Sequence, residues 1–217
     1  MQKRITMEAA AALVKDGMTI MIGGFLGCGT PELLIDQLVA SGVKDLTLIA
    51  NDTAFPEKGI GKLVVSKQFK KVIVSHIGTN KETGRQMNAG ETEVVLVPQG
   101  TLAEQVRAAG VGLGGILTPT GVGTIVEEGK ELMTIGGKTF ILEMPLKADV
   151  AFIYATTADE KGNLCFRGST RNFNPLMAMA ADKVVVQADE ILPVGAIDPN
   201  DVVVPGIFVH HIVGGDK

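Results

Sequence analysis

The chain has 217 residues, of which 46% are hydrophobic, and a net charge of −4. This charge, without any basic run interleaved with aromatic residues, excludes an electrostatic nucleic-acid surface. The longest uncharged run, 108–126, holds six glycines and a proline, so it does not resemble a membrane span. The two widely separated cysteines, Cys28 and Cys165, favour a reducing, cytoplasmic location over a disulfide framework.

In chain order, short apolar runs alternate with amphipathic segments. Thr6 is a predicted cap of the first helix, the four residues 101–104 form a predicted capping box, and Gly136-Gly137 forms a predicted hairpin turn. We predict helices at 5–14, 32–40, 101–109 and 174–181, strands at 18–22, 46–50, 71–75, 94–97, 150–154 and 184–186, hairpin strands at 134–135 and 139–142, and an extended end at 202–213.

The alternation of strands and helices predicts an α/β fold made of right-handed βαβ units. The apolar, glycine-rich and aromatic-poor composition favours parallel strands that are covered on both faces. We therefore expect one domain, 1–217, with a Rossmann-like, mainly parallel sheet, helices on both faces and a small β-hairpin excursion.

The loop at 23–29 has four glycines in seven residues and connects a predicted strand to a predicted helix. Thr30 suits the N-cap of that helix, Pro31 its first position and Glu32 the positive end of its dipole. Glycines let a ligand approach the backbone, and unpaired N–H groups at a helix start attract anions. The loop therefore indicates a binding surface, although a tight turn without a ligand is the alternative.

A nicotinamide-dependent oxidoreductase remains a second possibility. The loop has the context of a dinucleotide site but the wrong spacing, because position 32 is Glu, whereas Asp52 lies about 20 residues on, as a ribose-binding acid would. A G-x-G-x-x-G string at 110–115 follows a helix, which is the reverse of the required context. No Walker lysine follows the loop, so a nucleoside triphosphatase is excluded.

Three further side chains are candidates for chemistry. Gln99 follows a strand, where its amide can donate to a carbonyl or carboxylate oxygen, or simply face water. His76 also follows a strand, but a structural or solvent-facing role is favoured. Cys28 lies in the glycine loop, where small filler is favoured over an activated thiol. We predict no metal site, because no histidine has a ligand at metal-binding spacing.

Several blocks in one order extend along nearly the whole chain and identify a family resemblance. The chain resembles family I CoA-transferase alpha subunits of the acetate or acetoacetate type. The blocks are Asp16-Gly17, Gly23-Gly24-Phe25, Gly29-Thr30-Pro31, Asn51-Asp52-Thr53, Ser75-His76-Ile77-Gly78-Thr79-Asn80, Val97-Pro98-Gln99-Gly100-Thr101, Leu117-Thr118-Pro119-Thr120-Gly121-Val122-Gly123-Thr124 and Arg171-Asn172-Phe173-Asn174-Pro175.

The resemblance implies a ping-pong transfer of CoA between an acyl-CoA and a short-chain carboxylate, through a glutamyl-CoA thioester. In the family the nucleophilic glutamate lies in a Ser-Glu-Asn-Gly motif of the beta subunit, and this chain has no Ser-Glu-Asn. We therefore expect an α2β2 assembly, CoA as a substrate, no tightly bound cofactor, and no catalytic nucleophile here. Gln99 is the implied substrate donor. The implied CoA-binding residues are Gly23, Gly24, Phe25, Leu26, Gly27, Cys28 and Gly29.

A ligand-sensing domain on the same α/β scaffold is the remaining alternative. Such a domain would bind a CoA ester or a sugar phosphate without a partner, whereas an oxidoreductase would bind NADH.

Overall fold

The computed structural model describes residues 3–215, and within them two sheets and six α-helices. The helices are α1 (Met7–Ala11), α2 (Glu32–Ser41), α3 (Gly61–Val65), α4 (Lys81–Asn88), α5 (Gln99–Gly110) and α6 (Asn174–Met179). The strands are β1 (Thr19–Ile22), β2 (Leu46–Ile49), β3 (Phe69–Val74), β4 (Glu93–Leu96), β5 (Ile116–Thr118), β6 (Leu132–Ile135), β7 (Lys138–Glu143), β8 (Ala148–Asp159), β9 (Leu164–Cys165), β10 (Ala181–Leu192) and β11 (His211–Gly214).

The main sheet has the strand order β11-β10-β8-β1-β2-β3-β4, and every neighbouring pair in that order is parallel. Only β9 is antiparallel, where it pairs with β8. The predicted mainly parallel α/β sheet is therefore confirmed. Because the strands run the same way, the loops after β1, β2, β3 and β4 all emerge at one edge of the sheet.

The core lies on both faces of this sheet. In β1, Ile20 and Ile22 pack with Leu34 of α2 on one face, whereas Met21 packs with Leu102 of α5 and with Met177 of α6 on the other. This alternation is the two-residue period of a strand, and it explains why parallel strands read as continuous apolar runs.

Several predicted boundaries are wrong in an instructive way. β8 and β10 each run for 12 residues, well beyond the short segments 150–154 and 184–186 that the sequence predicts as strands. The polar α4 and the five-residue α3 are absent from the prediction. The stretch 202–213 is not extended throughout, because it contains a 3-10 turn at Gly206–Phe208 before β11.

The predicted helix caps are right in one case and wrong in another. Thr6 caps α1 as predicted, its hydroxyl accepting from the Ala9 N–H at 3.1 Å. The capping box at 101–104 is wrong, because α5 already begins at Gln99 and Thr101 lies inside the helix with a buried hydroxyl that lacks a partner. In α2 the buried face includes Leu34 and Leu38, whereas Leu33 is 53% exposed.

A second, three-stranded antiparallel sheet lies between α5 and β8, in the order β5-β7-β6. Its β6–β7 hairpin turns at Gly136 and Gly137, whose φ angles of 57° and 77° are those of the predicted two-residue turn. The predicted hairpin is thus confirmed, and β5 extends it to a small sheet, residues 116–143. No helix within residues 3–215 is long and apolar enough to cross a membrane.

Candidate functional site

The carboxyl edge of the main sheet brings together four loops that are distant in sequence. They follow β1 to β4 and contain, in turn, the glycine loop, Asn51 and Asp52, Ser75 and His76, and Gln99. Ligands of open α/β sheets bind outside the carboxyl ends of the strands. This edge is therefore the candidate site.

The glycine loop forms a tight hairpin turn, residues 25–28. The Phe25 N–H donates to the Cys28 carbonyl at 3.0 Å, and the Cys28 N–H donates back at 2.8 Å. Leu26 and Gly27 have φ angles of 50° and 81°, the left-handed pair that such a turn needs. Phe25 is 39% exposed and Cys28 is also exposed, so the tip of the turn is the part of the loop that solvent reaches.

The start of α2 is not the open anion site that the sequence predicts. Pro31 occupies the N-cap position with no side-chain hydrogen bond, so the predicted roles of Thr30 and Pro31 are wrong. The Leu33 and Leu34 N–H groups donate to the Gln187 side-chain oxygen at 2.9 and 3.2 Å. Because Gln187 reaches the helix from β10, a residue 154 positions from Leu33 satisfies donors that the local sequence leaves without a partner.

The buried glycines of the loop also have an internal reason. A Cβ at Gly23 would lie 1.8 Å from Oδ1 of Asn174, and one at Gly24 would lie 2.0 Å from Oγ1 of Thr30. At Gly29, φ is +63° and a Cβ would meet the Thr170 carbonyl at 2.5 Å. Close packing against the chain itself therefore requires glycine at these three positions.

The segment 170–174 holds the glycine loop in place through side-chain hydrogen bonds. Asn174 is fully buried, and its amide donates to the carbonyl oxygens of Gly29 and Thr170, both at 2.9 Å. Asn172 accepts from the Gly24 N–H at 3.2 Å and donates to the Cys28 carbonyl at 3.0 Å. The Arg171–Pro175 block of the sequence is therefore a brace for the glycine loop.

Asp52 supports the tip of the same loop from β2. Its side chain is 1% exposed, and its Oδ2 accepts from the Leu26 N–H at 2.9 Å. Burial raises the pKa of Asp52, against the opposing influence of the Leu26 and Ala54 N–H groups and of His76. Asp52 thus holds the turn in place, a role that its sequence position does not reveal.

Gln99 takes part in a second polar network at this edge. Its Nε2 donates to Oδ1 of Asn51 at 3.1 Å, and the Ser75 hydroxyl lies 2.9 Å from the same oxygen. Gln99 itself is exposed, at the first position of α5. The network fixes the amide while leaving it accessible, so Gln99 can present its second N–H to a bound carbonyl or carboxylate oxygen.

His76 and Cys28 are the remaining sequence candidates. His76 is exposed and pairs with Asp52 in a bridge between the ends of β3 and β2. The Cys28 sulfur lies 3.3 Å from the Ser169 hydroxyl. The structure brings both residues to the carboxyl edge. No group of three or more potential metal ligands of the His, Cys, Asp or Glu type occurs in the described part of the chain.

A second turn has the same kind of bridge as the first but a different central pair, because Pro56 and Glu57 lack the positive φ angles of Leu26 and Gly27. After β2, Phe55 and Lys58 form the same kind of bridge as Phe25 and Cys28, and Gly59 follows with a φ of 55°. The Lys58 side chain lies across Gly27, where a Cβ would be 2.4 Å from Cε. The equal spacing of phenylalanine and glycine in the two loops, Phe25 to Gly29 and Phe55 to Gly59, is a sequence signal for this shared bridge.

The family model and the similar sequences identify one family. A model of the family described as coenzyme A transferase matches residues 4–215. The chain is 57% identical over 211 residues to the acetate CoA-transferase subunit alpha of Escherichia coli (strain K12), covering 97% of this chain and 96% of that protein. It is 50% identical to the acetoacetyl-CoA:acetate/butyrate CoA transferase alpha subunit of Clostridium acetobutylicum, covering 97% of each.

Solved structures show the same fold. An acyl-CoA transferase of Escherichia coli O157:H7, solved as a thioester complex with CoA, superposes with a TM-score of 0.89 at 21% identity. The match covers 98% of this chain but only 47% of that chain. The present chain therefore spans about half the length of that solved relative.

Proposed function

Because this chain belongs to the coenzyme A transferase family, we propose that it is the substrate-holding alpha subunit of an enzyme that moves CoA between a short-chain acyl-CoA and a carboxylate such as acetate or acetoacetate. The observation that carries this proposal is similarity along almost the full length of subunits named alpha. Family membership also favours this reading over an oxidoreductase or a ligand sensor.

The chemistry needs a carboxylate nucleophile. In the proposed cycle a partner glutamate attacks the thioester carbonyl and releases CoA thiolate, leaving an acyl-glutamyl anhydride. The thiolate then attacks the glutamyl carbonyl, which releases the carboxylic acid product as its anion and gives a glutamyl-CoA thioester. An acceptor carboxylate reverses both steps. A carboxylate is a weak attacker, so it needs desolvation and donors aimed at the developing oxyanion.

Two carboxylates of this chain near the glycine loop do not suit that role. Asp52 is buried and its Oδ2 is engaged with the Leu26 N–H. Glu57 lies in the turn that follows Phe55 and is exposed to water. Neither is both accessible and desolvated. This supports placing the nucleophile on a beta subunit, in an α2β2 assembly.

We assign CoA binding to the loop 23–29, with its exposed tip, Phe25 to Cys28, as the contact surface. Gly23, Gly24 and Gly29 pack closely against the rest of the chain and so keep the tip in position. Exposed cationic side chains, Lys58 and Arg171, adjoin the loop and its brace. Because CoA carries several phosphate charges, they would favour its approach electrostatically. CoA acts here as a substrate and not as a resident cofactor.

A dinucleotide on the start of α2 fits this structure poorly. In a dinucleotide site the pyrophosphate rests on free N–H groups at a helix start. Here Gln187 occupies the Leu33 and Leu34 donors. We also propose a cytoplasmic enzyme, in keeping with two free cysteines.

Reconstitution tests the proposal. The chain purified alone should not transfer CoA from acetoacetyl-CoA to acetate, and addition of the beta subunit should restore transfer. A beta subunit whose motif glutamate is replaced by glutamine is the matched control and should leave the mixture inactive. Robust transfer by the isolated chain would refute the two-subunit assignment.

A further inference from the structure

Exposed apolar side chains are concentrated in one short part of the molecule. Of the sixteen large hydrophobic side chains that are exposed among the described residues, nine lie between positions 111 and 144. They include Ile125, which is 80% exposed, and all of β6 is exposed. Three of the nine, Leu117, Met133 and Ile135, lie on one face of the small sheet. Exposed apolar side chains grouped on one face mark an interaction site on a folded protein.

The strand register divides the small sheet into two faces. One face is covered by the rest of the chain at Ile141 and Glu143, which are 0% and 3% exposed, but not at Leu132, which pairs with Ile141 and is 47% exposed. The other face, which we call the outer face, carries five apolar side chains on cross-strand pairs: Leu117, Met133, Ile135, Phe140 and Leu142. An antiparallel sheet with one covered face normally presents polar residues on the other. The outer face is therefore built for a partner.

The outer face lies away from the carboxyl edge. α5 starts at Gln99 on that edge, and its 12 residues carry the chain about 18 Å to the other end. There the Leu113 N–H donates to the Ala108 carbonyl, shortly before β5 begins. β7 leads on into β8, at the amino edge of the main sheet. The carboxyl edge thus remains free for substrate and for a subunit that carries the nucleophile.

The outer face carries one negative and one positive side chain, which can pair with each other between two copies of the chain. Glu131, directly before β6, and Lys138, opposite Ile135, are both exposed and lie on the same face as Met133. By strand geometry they stand at opposite ends of it, about 14 Å apart along the strands. A two-fold axis between two such faces, perpendicular to the strands, brings Glu131 of one copy over Lys138 of the other. Two-fold interfaces require this self-complementarity.

We infer that the outer face of the small sheet binds the same face of a second copy of this chain, as a sheet-on-sheet interface with its strands antiparallel. Five apolar side chains from each copy form its centre, and two Glu131–Lys138 pairs close its ends. This contact joins two alpha subunits and leaves both carboxyl edges open. It does not depend on the transferase activity.

Sedimentation of the full chain without its partner tests this inference. The wild-type chain should be a dimer, and Met133→Glu should raise the dimer dissociation constant by about tenfold or more, because it places a charge in the apolar centre. Ile207→Glu is the matched control, since Ile207 is 85% exposed but lies outside the small sheet. It should leave the dimer intact. Circular dichroism checks that each variant is folded.

A charge exchange gives a second, independent readout. Glu131→Lys alone and Lys138→Glu alone should each weaken the dimer by roughly fivefold, and the two changes together should restore it to within about threefold. A monomeric wild-type chain, or a Met133→Glu chain that dimerises like the wild type, would overturn the inference. So would a monomer whose Met133→Glu variant fails to bind the beta subunit, because the face would then belong to that partner. Transfer activity is not measured in any arm.

Discussion

The carboxyl edge of the main sheet and the outer face of the small sheet differ in how many of their groups find contacts within the chain. At the carboxyl edge, Asn172, Asn174, Asp52 and Gln187 supply partners for the glycine loop and for the start of α2. On the outer face, Leu117, Met133 and Ile135 are 37%, 39% and 53% exposed. Hydrogen bonds within the chain hold the carboxyl edge in place, whereas the outer face is left open for a second chain. A glycine-rich loop can therefore be rigid, while a regular sheet can be incomplete.

The largest expected effect concerns the rigidity of the glycine loop. Gly23→Ala places a Cβ on the amide of Asn174, which is buried and held by hydrogen bonds to two carbonyl groups. We expect it to lower the free energy of unfolding by about 4 kcal/mol, because close-packed backbone must move. Urea denaturation measures the change.

Gly84→Ala is the matched control for that variant. Gly84 lies inside α4, and a Cβ there meets no atom within 4 Å. It should stabilise the chain by about 0.5 to 1 kcal/mol, since alanine is the better helix former. If both variants unfolded like the wild type, the glycine loop would not be packed as described.

The next prediction contrasts the two faces of the small sheet. Ile141→Ala removes a fully buried side chain and should cost about 3 kcal/mol of unfolding free energy. Ile135→Ala, on the outer face and 53% exposed, should change the stability of the isolated monomer by less than about 0.5 kcal/mol. Thermal unfolding at low protein concentration compares them, and equal losses would contradict the division into a covered and an open face.

A smaller effect is expected where the carboxyl edge meets substrate. Gln99→Ala should lower kcat of the reconstituted enzyme by about tenfold, if its amide stabilises the oxyanion. Folding should be unaffected because the side chain is exposed. Glu104→Ala, an exposed position further along α5, serves as the control and should retain activity. An unchanged kcat for Gln99→Ala would contradict a role for the Gln99 amide in stabilising the oxyanion.

The smallest expected effect is a pH dependence from Asp52. Its folded-state pKa is raised by burial, so the unfolded chain loses this proton first, and the contribution of Asp52 to stability falls as pH rises from the unfolded pKa to the folded one. Asp52→Asn cannot titrate. The unfolding free energy of the wild type, measured relative to that of Asp52→Asn, should therefore fall as pH rises above about 4. A difference that does not vary with pH would contradict a raised pKa.

Local patterns in the sequence were enough to predict the parallel sheet, α2, the hairpin turn and the position of Gln99 at a strand end. Interactions between distant residues were not. The start of α2 depends on Gln187, and the buried glycines depend on Asn174 and Thr170, so local capping rules assign the wrong partners. α4 escaped prediction because Lys81–Asn88 is polar and contains a glycine, and it depends on buried contacts such as the Gln86 amide with the Val64 carbonyl.

The role of the family blocks is likewise clearer in three dimensions. The Asn51-Asp52 block and the Arg171–Pro175 block both converge on the glycine loop, which neither spacing nor periodicity reveals. The outer face of the small sheet gave no comparable signal. Its residues alternate with those of the other face as in any strand, and only their exposure, such as the 53% of Ile135, distinguishes them in the structure.

The central claim is that this chain holds the substrate and that its partner carries the nucleophile. Intact-mass measurement tests it most directly, on the reconstituted enzyme incubated with acetoacetyl-CoA in the absence of an acceptor acid. We predict a CoA adduct on the beta subunit and an unmodified mass for this chain. A CoA adduct on this chain, with the beta subunit unmodified, would contradict the account.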